Sequence, residues 1–189
     1  MGDEPGYKTL QISGDPFAGA IIDFHSPLDA NSGPASNAFG TLGGSESETV
    51  VFSDGLSPGT ISVLRFHAIA PFEISSYRAF LADDGLSGNR AAISLSLFRS
   101  VDSSFSSLAT LSSIVITAPY GTAYGDTIIA VEDTFAPVVG QYFELRLSRA
   151  TTFGPRLIEL DANAVPEPST YALLAVSAAG ALWWLRRRN

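Results

Sequence analysis

The feature that most constrains the fold is an alternation of apolar and polar residues with a period of two. In the segment 92–97, Ile93, Leu95 and Leu97 are separated by serines, and the same alternation recurs over 143–148 and 158–161. Successive side chains of an extended strand point to opposite faces of a sheet. Each of these segments therefore predicts a strand with one buried face and one solvated face.

Other short segments rich in β-branched and aromatic residues extend this pattern. Turn residues such as Ser57-Pro58-Gly59 separate them, and no sustained helical pattern precedes residue 169. The further predicted strands cover 20–24, 49–52, 60–68, 72–81, 108–117 and 126–132. Many short strands with Gly and Pro between them indicate an all-β protein, an antiparallel jelly-roll sandwich. We expect residues 1–164 to form this single domain.

Composition narrows the possible functions. The chain has no cysteine, so it has neither disulfides nor thiolate metal ligands. Its 19 acidic and 11 basic side chains give a net charge of −8, which argues against nucleic acid as a partner. The acidic surface permits a structural calcium ion, although no Asp-x-Asp-x-Asp-Gly loop is present.

The C-terminal end has the composition of a membrane anchor. No charge occurs from Tyr171 to Leu185, and Arg186, Arg187 and Arg188 follow directly. This pattern predicts a transmembrane helix at 169–185 and a basic cytoplasmic tail at 186–189, with the N-terminal domain outside the membrane. Because a bilayer span usually needs about 20 residues, the alternative is a buried core helix.

The segment before this span resembles a known sorting signal. Residues 165–168 are Val-Pro-Glu-Pro, and together with the apolar span and the arginines they resemble the PEP-CTERM sorting signal of Gram-negative bacteria. The resemblance covers residues 165–189. It implies an exported protein, held in the inner membrane by its tail and cut by an exosortase that recognises Pro166, Glu167 and Pro168. The processed protein would then reach the cell envelope, the surface or the extracellular matrix, often in strains that make exopolysaccharide.

The N-terminal residues lack the signal that this route needs. A signal peptide begins with basic residues and an apolar stretch, whereas the first eight residues here are acidic and polar. We therefore expect that the precursor begins upstream or that the sequence is a fragment.

The domain itself resembles the discoidin-like, coagulation-factor C-type domains over residues 60–162. The similar segments, in the same order along the chain, are 61–66, 82–85, 89–91, 97–102, 141–147 and 154–160. The sequence departs from the family at Ser103-Ser104-Phe105, where a glycine and a tryptophan are common. The resemblance implies a galactose-binding-like jelly roll whose loops at one end hold carbohydrate or other surface ligands, sometimes beside calcium.

One predicted loop carries the candidate ligand-binding residues, Asp83, Asp84, Asn89 and Arg90. Carboxylates accept hydrogen bonds from sugar hydroxyls and amides both donate and accept them, and Asp83 and Asp84 are candidate calcium ligands. The alternative is a solvated turn in which Arg90 pairs with an aspartate. We expect His25 and His67 to be surface or hydrogen-bonded residues, and Arg156 to hold a structural ion pair or a loop.

Three functional hypotheses follow. The first is a sorted envelope or matrix protein whose sandwich binds carbohydrate or exopolysaccharide. The second is a structural or protein-interaction module without a small-ligand site. The third is a carbohydrate-active enzyme, which would need two facing carboxylates. Because the chain has two histidines, no cysteine and no Gly-x-Ser-x-Gly motif, we expect no catalysis.

Overall fold

The structure is a computed structural model that describes residues 15–40, 46–82, 90–116 and 128–164. Its strands form one antiparallel seven-stranded sheet in the order β2-β7-β3-β6-β4-β5, with β1 paired to β3. The strands are β1 (Ile21–His25), β2 (Val50–Val51), β3 (Ile61–Ala82), β4 (Ala92–Ser100), β5 (Leu108–Val115), β6 (Ile128–Arg149) and β7 (Arg156–Ala164). Two short 3-10 helices lie at Ala35–Ala38 and Glu46–Glu48.

Two long strands run through the whole sheet. The first part of β3 pairs with β1 and with the end of β6, and its second part pairs with β7 and with the start of β6. The register shifts between His67 and Phe72, where the strand changes neighbours. Buried side chains from both parts, such as Leu64 and Leu81, belong to one core cluster. The sheet therefore folds over on itself, and the two halves of β3 lie in opposite layers.

The core at one end of the sandwich is aromatic. Phe17 is fully buried, and its ring lies edge-on to Phe66 at a centroid distance of 4.9 Å and to Phe143 at 5.0 Å. Edge-to-face rings gain about 0.5–1.5 kcal/mol beyond the burial of their area. Asp15 fastens this segment to the sheet, because its Oδ1 accepts hydrogen bonds from the backbone N–H groups of Phe17 (2.9 Å) and Ala162 (2.8 Å).

The predicted all-β antiparallel class is confirmed. The predicted strands 60–68 and 72–81 fall on one continuous β3, and the described part of 126–132 and the predicted strand 143–148 fall on one continuous β6. The described part of the chain contains no helix with the length and hydropathy needed to cross a bilayer. The predicted membrane span at 169–185 lies outside the described residues.

Candidate functional site

Polar and aromatic side chains gather on the outward face of the layer formed by β1, β3, β6 and β4. Leu145 and Leu147 point into the core, so Glu144 and Arg146, which alternate with them along β6, point outward. By the same alternation Arg65 faces outward from β3 and is the register partner of Glu144. Phe98 of β4 is the partner of Glu144 on its other side. These residues consequently form a row across the sheet.

Glu144 is the centre of this row. Arg65 Nε donates to its Oε2 at 2.6 Å, and Arg146 Nε donates to its Oε1 at 2.5 Å. The Glu144 side chain has no exposed surface, whereas the side chains of Arg65 and Arg146 are 34% and 36% exposed. The buried carboxylate therefore holds two guanidinium groups whose outer edges face solvent.

Phenyl rings pack against both guanidinium groups. The Arg65 guanidinium lies 5.4 Å from the ring centre of Phe24 and 5.2 Å from that of Phe105, and the Arg146 guanidinium lies 4.4 Å from Phe98. Each cation–π contact contributes about 0.5–1 kcal/mol at an exposed site and orients the planar group. We call these six residues the guanidinium surface: Phe24, Arg65, Phe98, Phe105, Glu144 and Arg146.

Phe105 reaches this surface from a strained loop between β4 and β5. Its φ is 54°, in the left-handed region that a bulky aromatic residue seldom adopts. Asp102 shapes the loop, because its Oδ1 accepts hydrogen bonds from the backbone N–H and the hydroxyl of Ser104. These hydrogen bonds lower the pKa of Asp102 below its usual value. The strained backbone places the Phe105 ring against Arg65 and Tyr142.

A histidine and an aspartate lie beside the guanidinium surface. His67 Nδ1 is 2.9 Å from Oδ1 and 3.0 Å from Oδ2 of Asp23, and its ring packs 5.6 Å from that of Tyr142. The sequence places Asp23 two residues before His25, but the structure pairs Asp23 with His67 instead. His25 Nδ1 lies 2.9 Å from the carbonyl oxygen of Ser26 and is exposed.

An open groove of about 700 Å³ follows the edge strand β1. Residues 20–25 line one wall and residues 34–36 line the other, and we call it the β1 groove. Its volume is within the about 300–1,000 Å³ that ligand sites usually occupy. Asp23 and Phe24 line this groove, and Phe24 also belongs to the guanidinium surface. The two features are thus contiguous.

Of the four residues predicted to bind a ligand, the structure describes Arg90; Asp83, Asp84 and Asn89 lie outside the described residues. The Arg90 side chain is 7% exposed, and its Nη1 donates to Asp54 Oδ1 at 2.9 Å. Its guanidinium also lies 6.0 Å from the ring of Phe153. Arg90 therefore pairs with an aspartate from outside the predicted loop, and both the binding role of that loop and the alternative of a solvated turn stay predictions.

Arg156 occupies a structural position at the start of β7. It is 2% exposed, and its Nε donates to Thr49 Oγ1 at 3.1 Å. Its backbone N–H donates to the carbonyl oxygen of Arg90 at 3.2 Å. These bonds agree with the expectation that Arg156 holds a loop.

A second group of carboxyls lies on β7 and is buried. Glu159 and Asp161 are 2% and 1% exposed. Burial and the negative charges of Glu159 and Asp15 raise the pKa of Asp161 to about 7, and burial also raises the pKa values of Glu159 and Asp15. A hydrolytic pair must reach a substrate and an attacking water. This buried pair does not meet that requirement.

Within residues 15–40, 46–82, 90–116 and 128–164, no group of three or more His, Cys, Asp or Glu side chains has an arrangement that could hold a metal ion. The predicted calcium ligands Asp83 and Asp84 fall in the gap between the second and third of these ranges. Calcium binding by this loop stays a prediction.

Sequence reasoning did not identify the guanidinium surface. One signal was present, because Arg65 and His67 share a face of one strand and Glu144 and Arg146 share a face of another. The missing information was the register that brings Arg65 opposite Glu144, 79 positions away. The position of Phe105 depends on a positive φ. A glycine usually signals such a backbone conformation in a sequence, and this position carries a phenylalanine instead.

A family model supports the sorting signal. Residues 164–188 match the PEP-CTERM protein-sorting motif, which confirms the resemblance noted in the tail. Residues 165–188 of this match lie outside the described part of the structure. No curated protein matches the sequence.

Solved structures share the fold. Chitosan-binding module 1 of the chitosanase/glucanase from Paenibacillus sp. IK-5 matches with 15% identity and a TM-score of 0.56, over 79% of this chain and 98% of that one. The family 32 carbohydrate-binding module of Streptococcus pneumoniae EndoD matches with 12% identity and a TM-score of 0.50, over 79% and 98%. XRCC1, solved bound to the DNA polymerase beta catalytic domain, matches with 10% identity and a TM-score of 0.52, over 78% and 97%.

At these identities the likeness is one of fold. It agrees with the expected discoidin-like sandwich. The same architecture occurs in chains named for carbohydrate binding and in a chain solved with a protein partner.

Proposed function

We propose that this chain is an exported, exosortase-sorted envelope or extracellular-matrix protein whose β-sandwich binds carbohydrate without catalysis. The observation that carries the proposal is the guanidinium surface and its contact with the β1 groove. The sorting-motif match at 164–188 and the fold shared with carbohydrate-binding modules support it.

The chemistry of this surface suits a sugar ring. A pyranose has an apolar face of C–H groups and a rim of hydroxyls, so it binds best where an exposed aromatic face adjoins fixed hydrogen-bond donors. Phe24 is 49% exposed, and the Arg65 guanidinium lies against its ring. Because Glu144 and the phenyl rings hold the guanidinium groups in place, a ligand would order few side chains on binding.

The test is a glycan array probed with the purified full-length chain in a mild detergent. Phe24→Ala and Arg65→Gln should each weaken saturable binding at least tenfold. Phe153→Ala, which removes an exposed phenyl ring beside Arg90, is the matched control and should bind as the parent does. Loss in Phe153→Ala with retention in Phe24→Ala would move the site to the predicted loop of Asp83, Asp84, Asn89 and Arg90. Loss of binding on chelation would support the calcium site at Asp83 and Asp84.

Sorting has its own test. We propose that 165–168 is the exosortase recognition segment, 169–185 the membrane helix and 186–189 the cytoplasmic tail. Replacing Pro166, Glu167 and Pro168 with alanine should leave unprocessed protein in the inner membrane. Normal maturation of that variant would refute exosortase processing.

The second candidate function is a protein-interaction or matrix module without a sugar site. The observation that favours it is the terminal strand β5, where Val115 is 73% exposed. An exposed apolar edge strand can pair with another chain. A glycan array without saturable binding, together with a defined protein partner whose binding Val115→Lys abolishes, would support this candidate instead.

A further inference from the structure

We infer that the guanidinium surface selects acidic polysaccharides, with Arg65 and Arg146 binding the carboxylates of uronate residues. This inference rests on the proposed function, since it specifies the ligand of that same surface. It predicts that the surface prefers polyanions, whereas a site for chitosan prefers a polycation.

The guanidinium surface has more free hydrogen-bond donors than free acceptors. A guanidinium has five N–H donors and no acceptor. Arg65 uses its Nε in the bond to Glu144, and Arg146 uses Nε and Nη2. Among the described residues the remaining donors of these two side chains have no other partner, and both side chains are about one-third exposed. The surface therefore offers several N–H donors to a ligand.

Glu144 does not offer its oxygens to a ligand as hydrogen-bond acceptors. Its side chain is completely buried, and both its oxygens accept hydrogen bonds from the two arginines. The Asp23 carboxylate, which lies within 3.0 Å of His67 Nδ1, keeps lone pairs for a ligand, but it stands beside the guanidinium surface and is not part of it. A neutral sugar hydroxyl both donates and accepts, whereas a carboxylate only accepts. The surface is thus better matched to carboxylates than to hydroxyls alone.

The two guanidinium groups are also preorganised. A buried carboxylate fixes each Nε, and phenyl rings flank Arg65 and cover one face of Arg146. Fixed planar forks favour bidentate binding of carboxylates, which a flexible ammonium does not reproduce. The strained φ of Phe105 belongs to this arrangement, because it brings the second ring against Arg65.

Charge gives a second, independent argument. The whole chain has a net charge of −8, which at long range would attract a polycation. The Arg65–Glu144–Arg146 cluster instead carries two positive charges and one negative charge. Exposed charges farther than a Debye length, about 8 Å at physiological salt, are largely screened. Contacts at the surface itself should then decide which polymer binds.

The experiment compares four polymers with the full-length chain: alginate, carboxyl-reduced alginate, dextran and chitosan. Alginate carries one carboxylate per sugar, and its reduced form keeps the sugar chain without the charge. We expect saturable binding to alginate, at least tenfold weaker binding to reduced alginate and dextran, and no preference for chitosan. Binding should weaken as salt rises from 50 to 500 mM.

Single substitutions test whether the guanidinium surface is responsible for alginate binding. Arg65→Gln and Arg146→Gln should each reduce the affinity for alginate at least tenfold, and Arg65→Lys, which keeps the charge without the fork, should reduce it several-fold. Arg78→Gln removes a charge from the same strand β3 beside Glu132 and Asp161, away from this surface, and should bind as the parent does. Circular dichroism establishes that each variant is folded.

The outcomes separate the two proposals. Equal binding to alginate and its reduced form, or a preference for chitosan, would overturn the inference and leave carbohydrate binding intact. Unchanged alginate binding in folded Arg65→Gln and Arg146→Gln would also overturn it. Failure to bind any polymer or any arrayed glycan would overturn the proposed function together with the inference.

Discussion

The molecule buries carboxyl groups in two places, and their hydrogen-bond partners differ between the two. Glu144, on the outward face of one layer, has no exposed surface and lies between two guanidinium groups. Glu159 and Asp161, on β7 in the other layer, are buried to a similar extent, but Glu159 Oε1 and Asp161 Oδ2 have no hydrogen-bond partner within the described residues. Burial alone therefore does not determine how an acid behaves in this fold.

The difference lies in the compensating charge. A buried ion is tolerated when cations and hydrogen bonds replace the water that it loses. At Asp161, burial and the charges of Glu159 and Asp15 outweigh the opposing charge of Arg78, so the pKa rises to about 7. The first site presents fixed hydrogen-bond donors to solvent, whereas the second makes stability depend on pH. Four experiments test this difference and the contacts around it.

The largest effect is expected when both cations are removed from Glu144. In Arg65→Gln/Arg146→Gln the carboxylate stays buried without a cation, so the free energy of unfolding should fall by about 3–5 kcal/mol. Each single variant leaves one guanidinium in place and should lose about 1 kcal/mol or less. Urea unfolding at pH 7 of the parent, the two single variants and the double variant measures this coupling.

Adding Glu144→Gln to that double variant is the control. The triple variant buries no charge at this position and should recover most of the lost stability. Additive small losses in the single and double variants would mean that Glu144 does not depend on its two cations.

The β7 carboxyls should give the next largest effect, seen in the dependence of stability on pH. The pKa of Asp161 is about 7 in the folded state and 3.8 as a reference for the unfolded state, so between these values the folded state binds more protons. Stability should therefore fall as pH rises from about 4 to 7, and Glu159 and Asp15 act in the same direction. Asp161→Asn should be on the order of 3 kcal/mol more stable than the parent at pH 8.

Urea unfolding at intervals from pH 4 to pH 8 measures this dependence. Arg78 sharpens the test, because its positive charge lowers the pKa of Asp161. Arg78→Gln should shift the loss of stability to higher pH. A parent protein whose stability rises over this interval, with no change of slope in Asp161→Asn, would contradict the assignment.

The sequence predicts the fold of this protein better than it predicts the site. The period-two pattern and the β-branched and aromatic segments place β1, β2, β4, β5 and β7 within a few residues. The expected solvated face is wrong for β7, whose residues 156–162 are buried on both faces, and β1 is largely exposed. The sequence also predicts a break near Pro71, but β3 continues through it. Pro71 is exposed in a part of β3 without β6 partners, at the register shift between His67 and Phe72, so its missing N–H interrupts no ladder there.

The site could not be predicted to the same extent. Local pattern shows that Glu144 and Arg146 share a face, but the pairing with Arg65 depends on long-range register. Arg90 shows the same limitation, since its partner Asp54 lies in a different loop. Patterns within a strand are local, whereas the contacts that give these charged groups their roles join distant parts of the chain.

A smaller effect is expected at Phe105, which supports the first carboxyl site through Arg65. Because its φ is 54°, the backbone favours glycine at this position by about 1–2 kcal/mol. Both Phe105→Gly and Phe105→Ala lose the ring, but the glycine variant should be the more stable of the two by about 1 kcal/mol. Thermal unfolding compares them, and an alanine variant at least as stable as the glycine variant would show that no strain is stored there.

The smallest effect is expected in the hydrogen bonds that join Tyr77 to β5. Tyr77 and Ser112 hydroxyls are 3.0 Å apart, and Ser112 donates to Asp133 at 2.6 Å. Burial raises the pKa of Tyr77 to about 12, so the hydroxyl stays neutral beside Asp133. Tyr77→Phe should cost about 1 kcal/mol. Ser112→Ala serves as the partner variant, and the double variant should lose less than the sum of the two if the bond is real.

The antiparallel pairing of β3 with β6 also determines when the protein can fold. Ile61 pairs with Ser148 and Ala82 with Ile128, so the central strand pair cannot close until the chain has been synthesised through residue 149, and β7 adds to it later still. Such distant pairings make folding slow, on the order of milliseconds to seconds. On the proposed export route the chain would cross a membrane before it folds, and late closure would then be an advantage, because the last strands needed for folding are synthesised late.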